Sequence, residues 1–174
     1  MWVSNELGKT YDWASFDASE LAQRVRPPEA IAQAQAAMSS RLVVLTGPTG
    51  AGKTVLTAAM IRGRSGLKVM HCASHWPRDV DGKVLAACRS APVLVLDSLD
   101  CFRVPPRGPR RKSYLDVGAL VWSRVPAGRP TFITTVLTFD QLAGFFPVLA
   151  QAGHDLALID LDPKYCWNAG MALF

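Results

Sequence analysis

The chain has 174 residues and a formal charge of +5 at pH 7, a length expected to form one domain with a real hydrophobic core. Although 49% of the residues are hydrophobic, no run reaches the ~18 uninterrupted apolar positions of a membrane span. Met1 opens onto Trp2 and polar residues rather than onto a signal peptide, so a cytoplasmic protein with no membrane partner is expected. Cys72, Cys88, Cys101 and Cys166 form no close pair, which points to reduced core thiols and away from a disulfide framework or a four-thiolate zinc site.

Residues 1–40 read as a leader and helix packed on the core, and residues 41–174 as a single nucleotide-binding unit. In the leader, Trp13 and Phe16 stand among polar residues, where they either anchor the leader or stack on a nucleotide base. Pro27-Pro28-Glu29 starts a helix that continues through Met38. Residues 42–45 then read as a buried strand, residues 55–62 as a helix, and the stretch between them, Gly47-Pro48-Thr49-Gly50-Ala51-Gly52-Lys53-Thr54, as a P-loop. Glycine at these spacings gives the backbone the torsions of an anion nest, so that N–H groups running up to Thr54 and Val55 converge on the phosphates of ATP. Lys53 would bridge the β- and γ-phosphates, and the Thr54 hydroxyl would hold Mg²⁺. The helix starting there turns its positive dipole end toward the phosphates.

Residues 67–72 read as a second strand. His71, Cys72 and His75 follow one another closely but lack a fourth ligand, and alternate residues of a strand face opposite ways, so no protein-held metal is expected. A helix from Asp79 or Asp81 to Arg89 places Val84, Leu85 and Cys88 on one face. Val93-Leu94-Val95-Leu96-Asp97 is an apolar run closing on a carboxylate, the form of a buried parallel strand of Walker B type, and Asp97 would bind the nucleotide's Mg²⁺ beside the P-loop. Arg103, Arg107, Arg110, Arg111 and Lys112 then come without an intervening acid, among prolines and a glycine. That composition predicts an exposed basic loop over residues 103–112, either solvated or in contact with the phosphate backbone of DNA or RNA. A helix over residues 114–125 would cover the sheet with Leu115, Ala119, Leu120 and Trp122. Residues 131–136 read as a strand, Thr138 and Gln141 as a capping box for a helix to Phe146, and residues 156–160 as a last strand. The alternation predicts a three-layer α/β/α P-loop fold with a mainly parallel five-stranded sheet.

Taken in order, these motifs resemble the helicase-loader and transposition-helper branch of the AAA+ ATPases, the DnaC/IstB-like proteins. Residues 11–17 are similar to that branch's leader, Gly47 to Thr54 to its Walker A, residues 93–100 to its Walker B, and residues 119–124 and 128–135 to its helix and sensor strand. The resemblance implies an ASCE-type sheet in which the sensor strand separates the P-loop strand from the Walker B strand; residues 161–174 are too few for a second domain, so a lid domain is expected to be absent or minimal. It also implies ATP and Mg²⁺ as cofactors, and a DNA-processing partner such as a helicase or transposase.

The departures from the family fall where hydrolysis would occur. The position after Asp97, where such ATPases carry a water-orienting acid, is Ser98. Asp100 is the nearest acid that could act as the base. A valine, Val136, stands where a polar amide is expected, and no arginine follows Arg129, which leaves Arg124 or the basic loop as candidate cations. Loss of an arginine finger alone costs ~10³–10⁵ in phosphoryl-transfer rate. The expected activity is therefore a weak ATPase or nucleotide switch, with Lys53, Asp97 and Asp100 as the catalytic candidates. Two alternatives are a non-hydrolysing nucleotide-binding interaction module and a small P-loop phosphotransferase with the basic segment as a cationic lid.

Overall fold

The structure is a computed structural model that describes residues 10, 11, 13–17, 19–25, 27–71, 82–99 and 110–161. Its strands are β1 (Leu42–Thr46), β2 (Leu67–His71), β3 (Val93–Asp97), β4 (Thr131–Thr134) and β5 (Leu156–Asp160). They form one sheet in the order β2-β3-β4-β1-β5, with every pairing parallel. The sensor strand β4 thus lies between the P-loop strand β1 and the Walker B strand β3, as the ASCE reading requires. β1, β3 and β4 are buried along their whole length, which is why their sequences are unbroken apolar runs rather than alternating ones.

The helices are α1 (Ser19–Arg24), α2 (Pro28–Ala36), α3 (Lys53–Ile61), α4 (Gly82–Ser90), α5 (Arg110–Arg124), α6 (Phe139–Phe145) and α7 (Pro147–Gln151). Successive strand residues point to opposite faces, and two cores result. Val43, Leu45, Val95 and Phe132 pack under α3 with Leu21, Val25, Ala30 and Ala34 of the leader. On the other face, Leu42, Val44, Leu94, Leu96 and Ile133 pack against Val117, Leu120 and Val121 of α5 and Leu142 and Leu149 of α6 and α7. Trp13 and Phe16 are partly buried against the first core, and the Arg62 guanidinium donates to the Ala14 carbonyl at 3.1 Å, fastening the leader to the end of α3.

Four expectations change. α5 begins at Arg110, not at residue 114, so the basic segment is not a loop throughout. Pro109 is its last helix breaker, and the chain can turn helical directly after it. Ala119 and Trp122 face solvent, Trp122 with 53% of its surface exposed. Leu120 does cover the sheet, as expected, in a stripe with Val117, Val121 and Arg124, the i, i+3, i+4, i+7 spacing of one helix face; the side chain of Leu115 lies outside the described residues. β4 stops at Thr134, because Thr135 turns its hydroxyl to the Leu137 amide at 3.1 Å and starts a bend. Thr138 and Gln141 do form the capping box of α6, but Pro147 opens a further short helix, α7, that the pattern did not reveal.

Arg124 was a candidate site cation, and its burial removes it from that role. It is fully buried, and its guanidinium donates to the carbonyls of Cys88, Arg89, Ala91 and Pro130 and to the Thr131 hydroxyl. These groups lie at the C-terminal end of α4 and the starts of β3 and β4, the edge of the sheet opposite the P-loop. Burial, reinforced by the charge of Arg129, lowers its pKa to about 10, so it stays charged at neutral pH and caps α4. The same burial raises the Cys88 thiol above its ordinary value, leaving it neutral and unreactive. No helix among the described residues is long and apolar enough to cross a membrane.

Candidate nucleotide site

The site lies at the C-terminal ends of the central strands, where parallel α/β sheets bind ligands. β1 runs out at Thr46, and the chain enters the P-loop, with a short turn closed by the Ala51 amide on the Pro48 carbonyl at 3.2 Å. Gly52 ends the loop at φ 90° as the N-cap of α3, so Lys53 and Thr54 occupy the helix's first turn with their amides unclaimed by the helix. A side chain on Gly52 would strike the leader: a Cβ there would lie 2.5 Å from the Arg24 carbonyl oxygen and 3.1 Å from the Val25 Cα. Glycine is thus required at this position both by torsion and by close approach of two backbones.

Lys53 is buried, and its ammonium donates to the carbonyls of Gly47 at 2.6 Å and Pro48 at 2.8 Å. It therefore folds back over the loop it belongs to. The Thr54 hydroxyl donates to Asp97 Oδ1 at 3.0 Å, and the Thr134 hydroxyl donates to the same oxygen at 2.7 Å. Thr134 also accepts from the Ser98 amide at 2.8 Å, while its carbonyl accepts from Leu99 at 2.8 Å. Ser98 consequently sits at φ 56°, in the left-handed region that a residue with a Cβ enters only when its surroundings hold it there. β4 thus spends its polar end on Asp97 and on the turn that follows it.

Asp97 and Thr54 present two hard oxygen donors within hydrogen-bonding distance of each other, the donor type and proximity that Mg²⁺ accepts. No cluster of three or more metal-ligating His, Cys, Asp or Glu side chains occurs among the described residues. A cleft of about 600 Å³ opens over the loop. One wall is Thr49, Gly50, Gly52, Lys53, Thr54 and Val55, another is Ser98 and Val136, and the third is Tyr11, Gln23 and Arg24 of the leader. Of the two roles open to Trp13 and Phe16, anchoring the leader or stacking on a base, their packing against the first core matches the anchor. The leader residues on the cleft are different ones, and Trp13 stands behind them, edge-on to Tyr11 at 6.3 Å between ring centroids. A second hollow of about 480 Å³ adjoins the first across Thr49 and Val136 and includes Thr46, Thr138 and Asp160, with the Thr46 hydroxyl donating to Asp160 at 2.7 Å.

The structure therefore brings together Gly47 through Val55, Lys53, Thr54 and Asp97. Asp100, Arg103 and Arg107 lie outside the described residues, as do Cys72 and His75. Arg110, Arg111 and Lys112 form the first turn of α5.

Solved structures similar to this chain include DnaI, with 19% identity over 93% of each chain and a TM-score of 0.63. The DnaC helicase loader has 19% identity over 88% of this chain and 99% of that one, with a TM-score of 0.65. The chain has a DnaC-type AAA+ fold. AMPPCP-bound DnaA from Aquifex aeolicus shares that core, at 12% identity and a TM-score of 0.56 over 93% of this chain and 52% of the DnaA chain. No protein-family model and no curated protein matches the sequence. Likeness at these identities carries the DnaC-type fold and leaves the chemistry to the residues of the cleft.

Proposed function

We propose that the protein binds ATP with Mg²⁺ in the cleft over Gly47 to Val55 and works as a nucleotide switch or weak ATPase that assists a DNA transaction. The observation that carries this reading is the junction of Lys53, Thr54, Asp97 and Thr134 at the tips of three adjacent parallel strands. Backbone amides of the loop and the first turn of α3 would hold the phosphates. Lys53 would exchange its two carbonyl partners for phosphate oxygens, and Thr54 and Asp97 would hold the metal. Mg²⁺, when bound, would neutralise charge on the β- and γ-phosphates.

Slow turnover follows from what faces that position. Val136 offers no hydrogen bond to an attacking water, Ser98 is no base at neutral pH, and the Thr134 hydroxyl is engaged by Asp97 and the Ser98 amide. The same facts favour a second reading, a nucleotide-binding module that does not hydrolyse at all. The partner in either case is proposed to be DNA together with a DNA-processing protein such as a helicase or transposase, in line with a DnaC-type fold and with the basic residues Arg103, Arg107, Arg110, Arg111 and Lys112.

Calorimetry with ATP, ADP and GTP, paired with steady-state turnover with and without single-stranded DNA, tests these readings. Binding of ATP that needs Mg²⁺ and disappears in Lys53→Ala is expected, with turnover well below the ordinary 1–100 s⁻¹ of phosphotransfer enzymes, an order-of-magnitude benchmark. Turnover at that benchmark would remove the switch reading, and absence of binding would remove both.

A further inference from the structure

The cleft over the P-loop has two cations among its described lining residues, Lys53 and Arg24. Lys53 belongs to the cradle itself. Arg24 comes from the leader, and its present partner is not a phosphate, a carboxylate or a carbonyl: the guanidinium carbon lies 4.6 Å from the centroid of the Trp13 ring. The backbone that carries Arg24 is fixed. Leu21 and Val25 on either side are fully buried, the Val25 amide donates to the Leu21 carbonyl at 2.9 Å, and the Arg24 carbonyl sits against Gly52. The side chain itself is exposed. A change of side-chain rotamer is thus enough to move the charge, and no part of the fold has to follow.

We propose that Arg24 is a ligand of the bound nucleotide, and that its guanidinium leaves the Trp13 ring for the phosphates when a nucleoside di- or triphosphate enters. The inference rests on the nucleotide-binding reading above and adds to it the leader's own contribution. Magnitudes support the exchange. An exposed cation–π contact is about two- to threefold weaker in free energy than a charge-assisted hydrogen bond to a phosphate oxygen. Position decides which phosphate is met. The Arg24 backbone abuts Gly52, at the end of the cradle where α3 begins, whereas Thr49 lies at the other end beside Val136. Arg24 therefore serves a phosphate that ADP and ATP share. The exchange also makes Trp13 a reporter, because its ring loses a cation from one face when the cleft fills. Trp13 packs edge-on against Tyr11 and against the first core, so occupancy of the cleft is felt in the leader.

The test is calorimetry of ADP and ATP, with tryptophan fluorescence recorded over the same titration, on the full chain and on Arg24→Ala, Arg24→Gln, Trp13→Phe and Lys53→Ala. Both Arg24 variants are expected to weaken ADP and ATP alike, by about tenfold, the loss of one charge-assisted hydrogen bond. Arg24→Gln keeps much of the side-chain length and carries the test should the shorter variant disturb α1. The wild-type fluorescence change on binding is expected to be largely absent in Trp13→Phe. Wild-type affinity in the Arg24 variants, or a full fluorescence change in Trp13→Phe, would overturn the proposal. If Lys53→Ala abolishes binding while the Arg24 variants bind normally, the nucleotide site stands and the role of Arg24 falls. If the wild-type chain binds neither nucleotide, both fall together.

Discussion

Replacing Gly52 with alanine probes how tightly the leader is pressed onto the P-loop, and Gly50 supplies the control. Both glycines have left-handed torsions, φ 90° and φ 84°, so an alanine at either carries a conformational penalty of about 1–2 kcal/mol. Both substitutions also restrict the unfolded chain by the same amount. The surroundings differ. A Cβ on Gly50 meets nothing within 4 Å, whereas a Cβ on Gly52 lies 2.5 Å from the Arg24 carbonyl oxygen, a backbone atom that cannot swing aside. Overpacking of this kind typically costs about 1–3 kcal/mol, and that is the expected difference between the two variants. For a chain of this length each kcal/mol moves the melting temperature by about 2–4 °C. Thermal denaturation without nucleotide should therefore place Gly52→Ala clearly below Gly50→Ala. If the two melt together, the leader does not bear on the loop and the shape of the cleft's third wall is wrong.

Further outcomes follow from the other contacts. Asp97→Asn, which keeps the side-chain volume, should abolish the Mg²⁺-dependent part of ATP affinity and leave binding in EDTA unchanged, as read by calorimetry with and without the chelator. Arg124→Met should lower stability by about 3–5 kcal/mol in urea denaturation, because the carbonyls of Cys88, Ala91 and Pro130 lose a buried charged donor. Neutralising Arg103, Arg107, Arg110, Arg111 and Lys112 to glutamine should weaken single-stranded DNA binding and flatten its salt dependence by about 0.7 in slope for each phosphate that is no longer neutralised. Unchanged slope would detach DNA from that segment.

The legible parts of the fold were those in which burial and local chemistry agree. Residues 93–97 and 156–160 are strands with the bounds their sequences imply, and Thr138 with Gln141 forms a cap readable from two side chains. The P-loop was legible because its glycines answer a torsional demand that few other residues meet. Less visible were features that depend on tertiary neighbours. Nothing local distinguishes Tyr11, Gln23 and Arg24 from any polar leader, and only the fold lays them along the cleft. Thr134 reads as a β-branched strand residue, and its bond to Asp97 exists because β4 was threaded between β1 and β3. Arg124 is the case where a signal existed. It falls on the same helical stripe as Val117, Leu120 and Val121, and strict use of that spacing would have placed it in the core in spite of its charge. The start of α5 was hidden by the prolines before it, which break a helix only up to the last of them.

The position of β4 has one more consequence. Two strand spacings, about 9–10 Å in all, separate the backbone that carries Asp97 from the backbone that enters the P-loop, and that width is set by main-chain hydrogen bonds alone. Side chains decide what fills the gap, and Thr134 with Thr54 fills it with hydroxyls. No point substitution narrows it. The gap between acid and loop, which the proposed metal and phosphate would occupy, is thus a property of how the sheet is ordered, and it outlasts the loss of any side chain at its rim.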